Sequence, residues 1–237
     1  MLINADVHGL EVVVAADLSG DETLRYEVRQ GLDFHQLNQD KFGLPTRVVA
    51  KRFKFKLLYG ATAFGYAHDS DFIDVSTSEK YWARIIEEYY DKYRGIKTWH
   101  SNLINDAKRN GKLEIPSGRF FPIVPNWASK EPWPLTIIKN YPVQGFGADL
   151  VMLARLEAKK RLEESELEAK LISTIHDSIV ADSPEKNVYA VGKILSDSIA
   201  VVPELCRKLF GYEFSLPLTS EVQFGPNKKD MEEIVYS

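Results

Sequence analysis

An α+β fold built on an antiparallel sheet is what this sequence predicts, and three observations predict it. Helical and strand-like segments are interspersed without the strict βαβ alternation of a parallel sheet. Residues 111–127 are turn-rich, with short apolar segments between Gly and Pro, which is the pattern of a hairpin. Leu171–Val180 alternates and carries His176-Asp177-Ser178 in its middle, which suits two strands joined by a tight turn.

The remaining elements follow in chain order. Residues 11–18 (Glu-Val-Val-Val-Ala-Ala-Asp-Leu) form an apolar run that fits a strand or a buried helix equally, and Ser19-Gly20-Asp21 ends it. Thr46–Tyr59 reads as helix, with Pro45 before it and Gly60 after it. Ser78–Arg94 reads as a tyrosine-rich helix ended by Gly95, and Asp149–Glu168 as a long amphipathic one. Asn187–Phe210 is helical with an interruption at Pro203, and Leu216–Phe224 is a closing strand.

Composition excludes more than it assigns. With 44% hydrophobic and 27% charged residues in 237, the chain has ordinary globular proportions. A single cysteine, Cys206, excludes an internal disulfide framework and a cysteine-built zinc site. No apolar run reaches the length of a membrane span, and no signal peptide pattern opens the chain, so a cytosolic protein is expected. The net charge of −4 does not announce nucleic acid, but local clustering matters more than the total. Arg47, Lys51, Arg52, Lys54 and Lys56 crowd into one short acid-free stretch.

Chemistry concentrates at two places. Arg47, Lys51, Phe55 and Tyr59 recur every four residues, and each step of four drifts by about 40° around a helix. They therefore form one slowly turning stripe, cationic at one end and aromatic at the other. Such a stripe suits a polyphosphate followed by a stacked base. It also suits a basic amphipathic helix whose aromatics pack in a core, and the residues alone leave both readings open. Asp6 and Asp177 are the candidate metal ligands, since hard divalent cations take carboxylate oxygens. Each is also an ordinary turn-favouring Asp.

Seven segments in order decide between these readings. Asp6-Val7-His8-Gly9-Leu10-Glu11 with Ala16-Asp17-Leu18-Ser19-Gly20-Asp21 resembles the first catalytic motif of family-A DNA polymerases. Gly31-Leu32-Asp33-Phe34-His35 resembles their Gly-x-Asp-x-His segment, and Arg47-x3-Lys51-x3-Phe55-x3-Tyr59-Gly60 their nucleotide-binding fingers helix. Gly118-Arg119 is similar to the hairpin that follows. Asn140-Tyr141-Pro142-Val143-Gln144-Gly145 is similar to the Asn-x-x-x-Gln-Gly helix. His176-Asp177 resembles the last catalytic motif, and Leu216-Pro217-Leu218 with Gly225-Pro226-Asn227 the closing strand.

The resemblance implies a polymerase palm, an antiparallel sheet with packed helices, at 1–27 and 137–237. A mainly helical fingers subdomain is inserted at 28–136, with no thumb and no exonuclease domain. It implies that Asp6, Asp177 and the carbonyl of Val7 hold two Mg2+ ions, with Mn2+ able to substitute. His35, Arg47 and Lys51 would grip the triphosphate of a dNTP, with Lys51 also protonating the leaving pyrophosphate. Phe55 would pack against the incoming base or sugar, Tyr59 would stack near the templating base, and Glu11 would exclude a 2′-hydroxyl. Asn140, Gln144, Arg119 and His176 would touch primer–template DNA. The implied partner is a second polypeptide carrying the thumb and the upstream palm, with or without an exonuclease, as in a split phage-type polymerase; the alternative is a truncated product.

Departures from the family pattern bear on grip and fidelity more than on chemistry. Ser178 stands where a glutamate usually follows His-Asp, Gly9 replaces a larger polar residue, and His8 adds a titratable group beside Asp6. Thr136 replaces an arginine expected before Asn140. Two competing functions remain at this stage: a single-subunit RNA polymerase, which Glu11 opposes, and a non-catalytic subunit derived from a polymerase. Tyr81, Trp82, Tyr89, Tyr90, Tyr93 and Trp99 are expected in a core rather than on a base-stacking surface. Glu157–Glu168 is expected to be a solvated helix face, and Cys206 a buried inert thiol.

Overall fold

The computed structural model describes residues 1–236. The chain opens with strand β1 (Leu2–Val7) and helix α1 (Leu10–Ser19). Val12 through Ala16 are all buried in α1, so this helix is apolar all round; that is why its periodicity could not separate helix from strand. Helices α2 (Glu22–Arg29), α3 (Phe34–Phe42), α4 (Arg47–Leu58), α5 (Ala63–Ala67), α6 (Glu79–Lys92) and α7 (Arg94–Asn110) follow. Strands β2 (Lys112–Glu114) and β3 (Phe120–Pro122) form the expected hairpin. Helix α8 (Leu135–Glu164), strands β4 (Lys170–Ile175) and β5 (Ser178–Asp182), helices α9 (Val188–Ala200) and α10 (Val202–Phe210), and strands β6 (Ser220–Gly225) and β7 (Glu232–Glu233) complete the chain.

Contacts divide the chain into two compact units. The first comprises Met1–Val14, Pro116–Gly118 and Gln144–Ser237; the second comprises Ala15–Ile115 and Arg119–Val143. The first unit is organised by a five-stranded antiparallel sheet in the order β4-β5-β1-β6-β7, as the α+β reading expects. β1 is central and short, and its Ile3, Ala5 and Val7 are buried. Helix α9 covers β1 and β6, with Val191, Leu195 and Ile199 buried along one face.

The second unit is held by aromatics. Phe53, Tyr66, Phe72, Trp82, Tyr89 and Tyr93 are fully buried, with ring centroids 4.8–6.1 Å apart between neighbours. Polar tips are satisfied where they can be: Tyr66 Oη donates to the Phe53 carbonyl (2.7 Å), and Trp82 Nε1 to the Ser76 carbonyl (2.8 Å). The core reading of Trp82, Tyr89 and Tyr93 matches this burial. A buried polar knot sits beside them. Tyr93 Oη donates to Glu27 (2.7 Å) and lies 2.9 Å from Asn38 Oδ1, while Lys92 pairs with Glu27 (2.8 Å) and donates to Asn38 Oδ1 (2.8 Å).

Several boundaries differ from the sequence reading. The long helix begins at Leu135 rather than Asp149, because Pro142, Gly145 and Gly147 lie inside it although they read as breakers. It ends at Glu164, short of Glu168, where Glu166 takes a left-handed backbone (φ 55°). Gly95 does not end the tyrosine-rich helix; Tyr93 does, and Gly95 lies in the first turn of α7. The break after α9 falls at Val201, so Pro203 opens α10 in the first-turn position where proline is tolerated. The closing strand starts at Ser220, not Leu216, and β1 went unread because six residues of mixed polarity carry too little pattern.

Asp21 is a joint between distant parts of the second unit. Its carboxylate caps α2 at the Leu24 N–H (2.8 Å) and accepts from the Gly95 N–H (2.7 Å), 74 residues away. A Cβ on Gly95 would lie 2.6 Å from the Asp21 Cα, a backbone contact that cannot yield cheaply. Gly95→Ala is therefore expected to destabilise the chain by about 2–3 kcal/mol in urea unfolding. A loss under about 0.5 kcal/mol would show that the joint is not rigid.

Candidate active site

The first unit gathers the carboxylates. β1 pairs with β5 on one side and β6 on the other, so Asp6 faces Ser178 across one ladder and Glu221 across the other. Directly opposed residues of antiparallel strands project to the same face. The β4–β5 turn delivers Asp177, whose backbone carbonyl accepts from the Val7 N–H (3.0 Å). Asp177 lies near enough to act on the Asp6 carboxyl. Burial, then the charge and hydrogen bond of Asp177, then Glu221 push the Asp6 carboxyl above its usual range, against a smaller lowering by His8.

Like charges held this close favour a shared proton or a shared cation. Two carboxylates are oxygen donors of the kind magnesium takes, so these side chains fit the metal that the resemblance implies. Among the described residues, no group of three or more His, Cys, Asp or Glu side chains is placed to hold a metal ion. The site is thus a pair of acids, not a cage. Ser178 does not restore the missing acid: it is buried, and its hydroxyl donates to the Ile175 carbonyl (3.0 Å) within the turn.

Glu221 went unnoticed in the sequence. It lies 215 positions from Asp6, and only the strand register brings the two side by side. His8 Nε2 stands 3.8 Å from Glu221, with both half-exposed. Glu11, in the first turn of α1, accepts a hydrogen bond from the Gln144 amide. His176 is exposed and holds a left-handed backbone (φ 53°) that makes the turn possible.

The second unit gathers the cations. Thr46 caps α4 through its hydroxyl to the Val49 N–H (3.2 Å), so the stripe starts at Arg47 as expected. Arg47 Nε is held by Asp33 (2.6 Å), which also caps α3 at the His35 and Gln36 N–H groups. Burial opposes ionisation of Asp33, but these bonds and the Arg47 charge keep its carboxyl below the usual range. Lys51 is exposed with its ammonium 5.9 Å from the Phe55 ring, and His35 lies 5.8 Å from the same ring. Tyr59 is the C-cap of α4 and half-buried.

His35 is only 7% exposed, and its Nδ1 has no partner among the described residues. Burial and then the charges of Lys54 and Arg47 push its pKa down to about 4, so the ring is neutral near pH 7 with one N–H to donate. A neutral donor flanked by Arg47 and Lys51 can hold a polyanion without itself carrying charge. The same unit carries Asn140, whose buried Oδ1 has no hydrogen-bond partner among the described residues, and the exposed Arg119 on the hairpin. Cys206 is buried, as expected, and opposite charges line the solvated end of α8, including Arg161–Glu157 (2.7 Å).

The solved POL domain of Pol1 from M. smegmatis, in complex with DNA primer–template and dNTP, superposes with a TM-score of 0.80 at 20% identity. The match covers 94% of this chain and 39% of that one, and shows a shared fold. DNA polymerase I of Chloroflexus aurantiacus is 29% identical over 240 residues, covering 97% of this chain and 24% of its own length. Thermostable DNA polymerase I of Thermus filiformis is 30% identical over 237 residues, covering 95% and 26%. The chain thus spans about a quarter of the length of these relatives. The sequence profile of DNA polymerase family A matches residues 1–230, and the chain belongs to that family.

Proposed function

We propose that this chain is the catalytic portion of a template-directed DNA polymerase. The observation that carries the reading is the meeting of Asp6 and Asp177 at the sheet, in a chain of family A. In this reading residues 1–27 and 137–237 are palm and 28–136 are fingers. The primer 3′-hydroxyl loses its proton to solvent as its oxygen attacks the α-phosphorus of a dNTP; a new P–O bond forms and the bond to pyrophosphate breaks.

Asp6, Asp177 and the Val7 carbonyl would hold two magnesium ions, which would supply charge neutralisation at the transferred phosphoryl group and acidify the primer hydroxyl. Arg47, Lys51 and neutral His35 grip the triphosphate, and Lys51 hands a proton to the departing pyrophosphate. Phe55 packs on the incoming nucleotide and Tyr59 near the templating base. Asn140, Gln144, Arg119 and His176 contact primer–template DNA. Glu11, steadied by the Gln144 amide, closes the space a 2′-hydroxyl would need, which favours deoxynucleotides over the ribonucleotides of an RNA polymerase.

A second polypeptide supplies the thumb and the upstream palm in this reading. Apolar side chains on the first unit support it: Leu156 on α8 and Ile172 on edge strand β4 are each more than half exposed, and Met152 and Ile175 nearly so.

Two measurements test these assignments. Magnesium-dependent primer extension, in the assembly that shows activity, is expected to fall by at least ~10³-fold in Asp177→Ala. Unchanged extension would remove Asp177 from the chemistry. Glu11→Ala is expected to raise ribonucleotide incorporation relative to deoxynucleotide by about 10-fold or more, read from labelled products on a gel. No gain over wild type would mean that Glu11 is not the gate.

A further inference from the structure

Lys54 is the most anomalous side chain in the second unit. It sits on α4, is fully buried, and its ammonium has no hydrogen-bond partner among the described residues. What it has is an aromatic seat: Nζ lies 4.0 Å from the centroid of Phe34 and 5.8 Å from that of Tyr93. Phe34 in turn meets His35 edge-on, with centroids 4.6 Å apart. Ammonium, ring and imidazole thus form a short ladder ending at a residue assigned to the triphosphate.

A buried cation without a hydrogen bond lowers stability, and an aliphatic side chain of similar length would pack at least as well. Its presence therefore calls for something the charge does. Around Lys54 the ionisable groups are Glu27 and Asp21 of the α2 region, Asp33 and His35 of the α3 region, and Lys92 and Tyr93 of the α6 region. Glu27, the carboxylate acting on it most strongly, is already engaged by Lys92 and Tyr93. Of the charged groups around His35, Lys54 acts on the ring most strongly, ahead of Arg47 and Lys51.

We propose that Lys54 is a positioning residue for the triphosphate: seated on Phe34, it fixes the ring that carries His35 and adds positive charge behind His35, Arg47 and Lys51. This rests on the reading above that the α4 stripe binds the nucleotide. The device is pH-sensitive. Burial pushes the Lys54 ammonium down to about 7, opposed by Glu27, so the charge is present at pH 6 and mostly gone at pH 8.5. The sign for stability is opposite. Between pH 7 and 10.5 the unfolded chain keeps a proton that the folded chain has lost, so this group makes stability rise with pH across that window.

The test is calorimetric binding of inorganic tripolyphosphate and of dGTP to the full chain at pH 6 and pH 8.5, with thermal unfolding of each variant. Lys54→Met is expected to weaken binding by ~5-fold at pH 6 and by less than ~2-fold at pH 8.5, while the unfolding temperature at pH 6 stays level or rises. Phe34→Leu is expected to weaken binding at pH 6 too, and the double variant to lose no more than the larger single loss. Lys51→Ala is the control for the stripe itself. If Lys51→Ala weakens binding but Lys54→Met does not, the positioning role is wrong and the nucleotide reading stands. Equal losses at both pH values with a fall in stability would make Lys54 an ordinary packing residue and overturn the proposal. No effect of Lys51→Ala, or no binding by the wild type, would overturn both.

Discussion

Everything in the first unit depends on β1 being paired on both edges. A six-residue strand has little to hold it alone, but with β5 on one side and β6 on the other its backbone hydrogen bonds are satisfied in both directions. That double pairing fixes register, and register decides chemistry. A slip of one residue would turn Asp6 to the opposite face and present Ala5 in its place. Ile3, Ala5 and Val7 are buried on the face that would become exposed, so the slip is opposed by the loss of apolar burial. The carboxylate pair is thus held in place by side chains on the opposite face of the strand.

The second unit solves a different problem with one helix. α4 must bury Phe53, Leu57 and Leu58 against the aromatic core while offering Arg47 and Lys51 to solvent. Flanking acids steady its exposed rows. Asp33 holds Arg47, and Asp69 and Asp71 hold Lys56 and Arg52. Exposed ion pairs of this kind add little stability, yet they restrict the rotamers of long side chains that would otherwise sweep widely. Order on the cationic face is worth more to binding than to folding.

How much of this was legible in the sequence follows from the range of the signals. Local ones read well: Pro45 and Gly60 around α4, the His-Asp turn between β4 and β5, and the four-residue spacing of the stripe all involve neighbours in the chain. Misreadings arose where tertiary packing overrides a local rule. Pro142, Gly145 and Gly147 interrupt a pattern but not the helix, because the buried Val143 and Phe146, and Leu10 packed against Gly147, hold it together. What no local pattern could show was Glu221 beside Asp6, or Lys54 buried among four neighbours of like appearance. The resemblance supplied roles for the stripe, but it had no word for a lysine that points inward.

The left-handed turn residue has one more consequence. At φ 53° a non-glycine side chain is tolerated at a cost of about 1 kcal/mol, least for Asn, Asp and His, and most for branched ones. Position 176 is therefore constrained twice, once by backbone geometry and once by whatever the exposed imidazole does. The two constraints can be separated by nature. Drift from histidine to glycine would relax the turn, keep the Val7–Asp177 bond and preserve the fold, while removing the ring. Function at this corner can be lost silently, with no trace in stability.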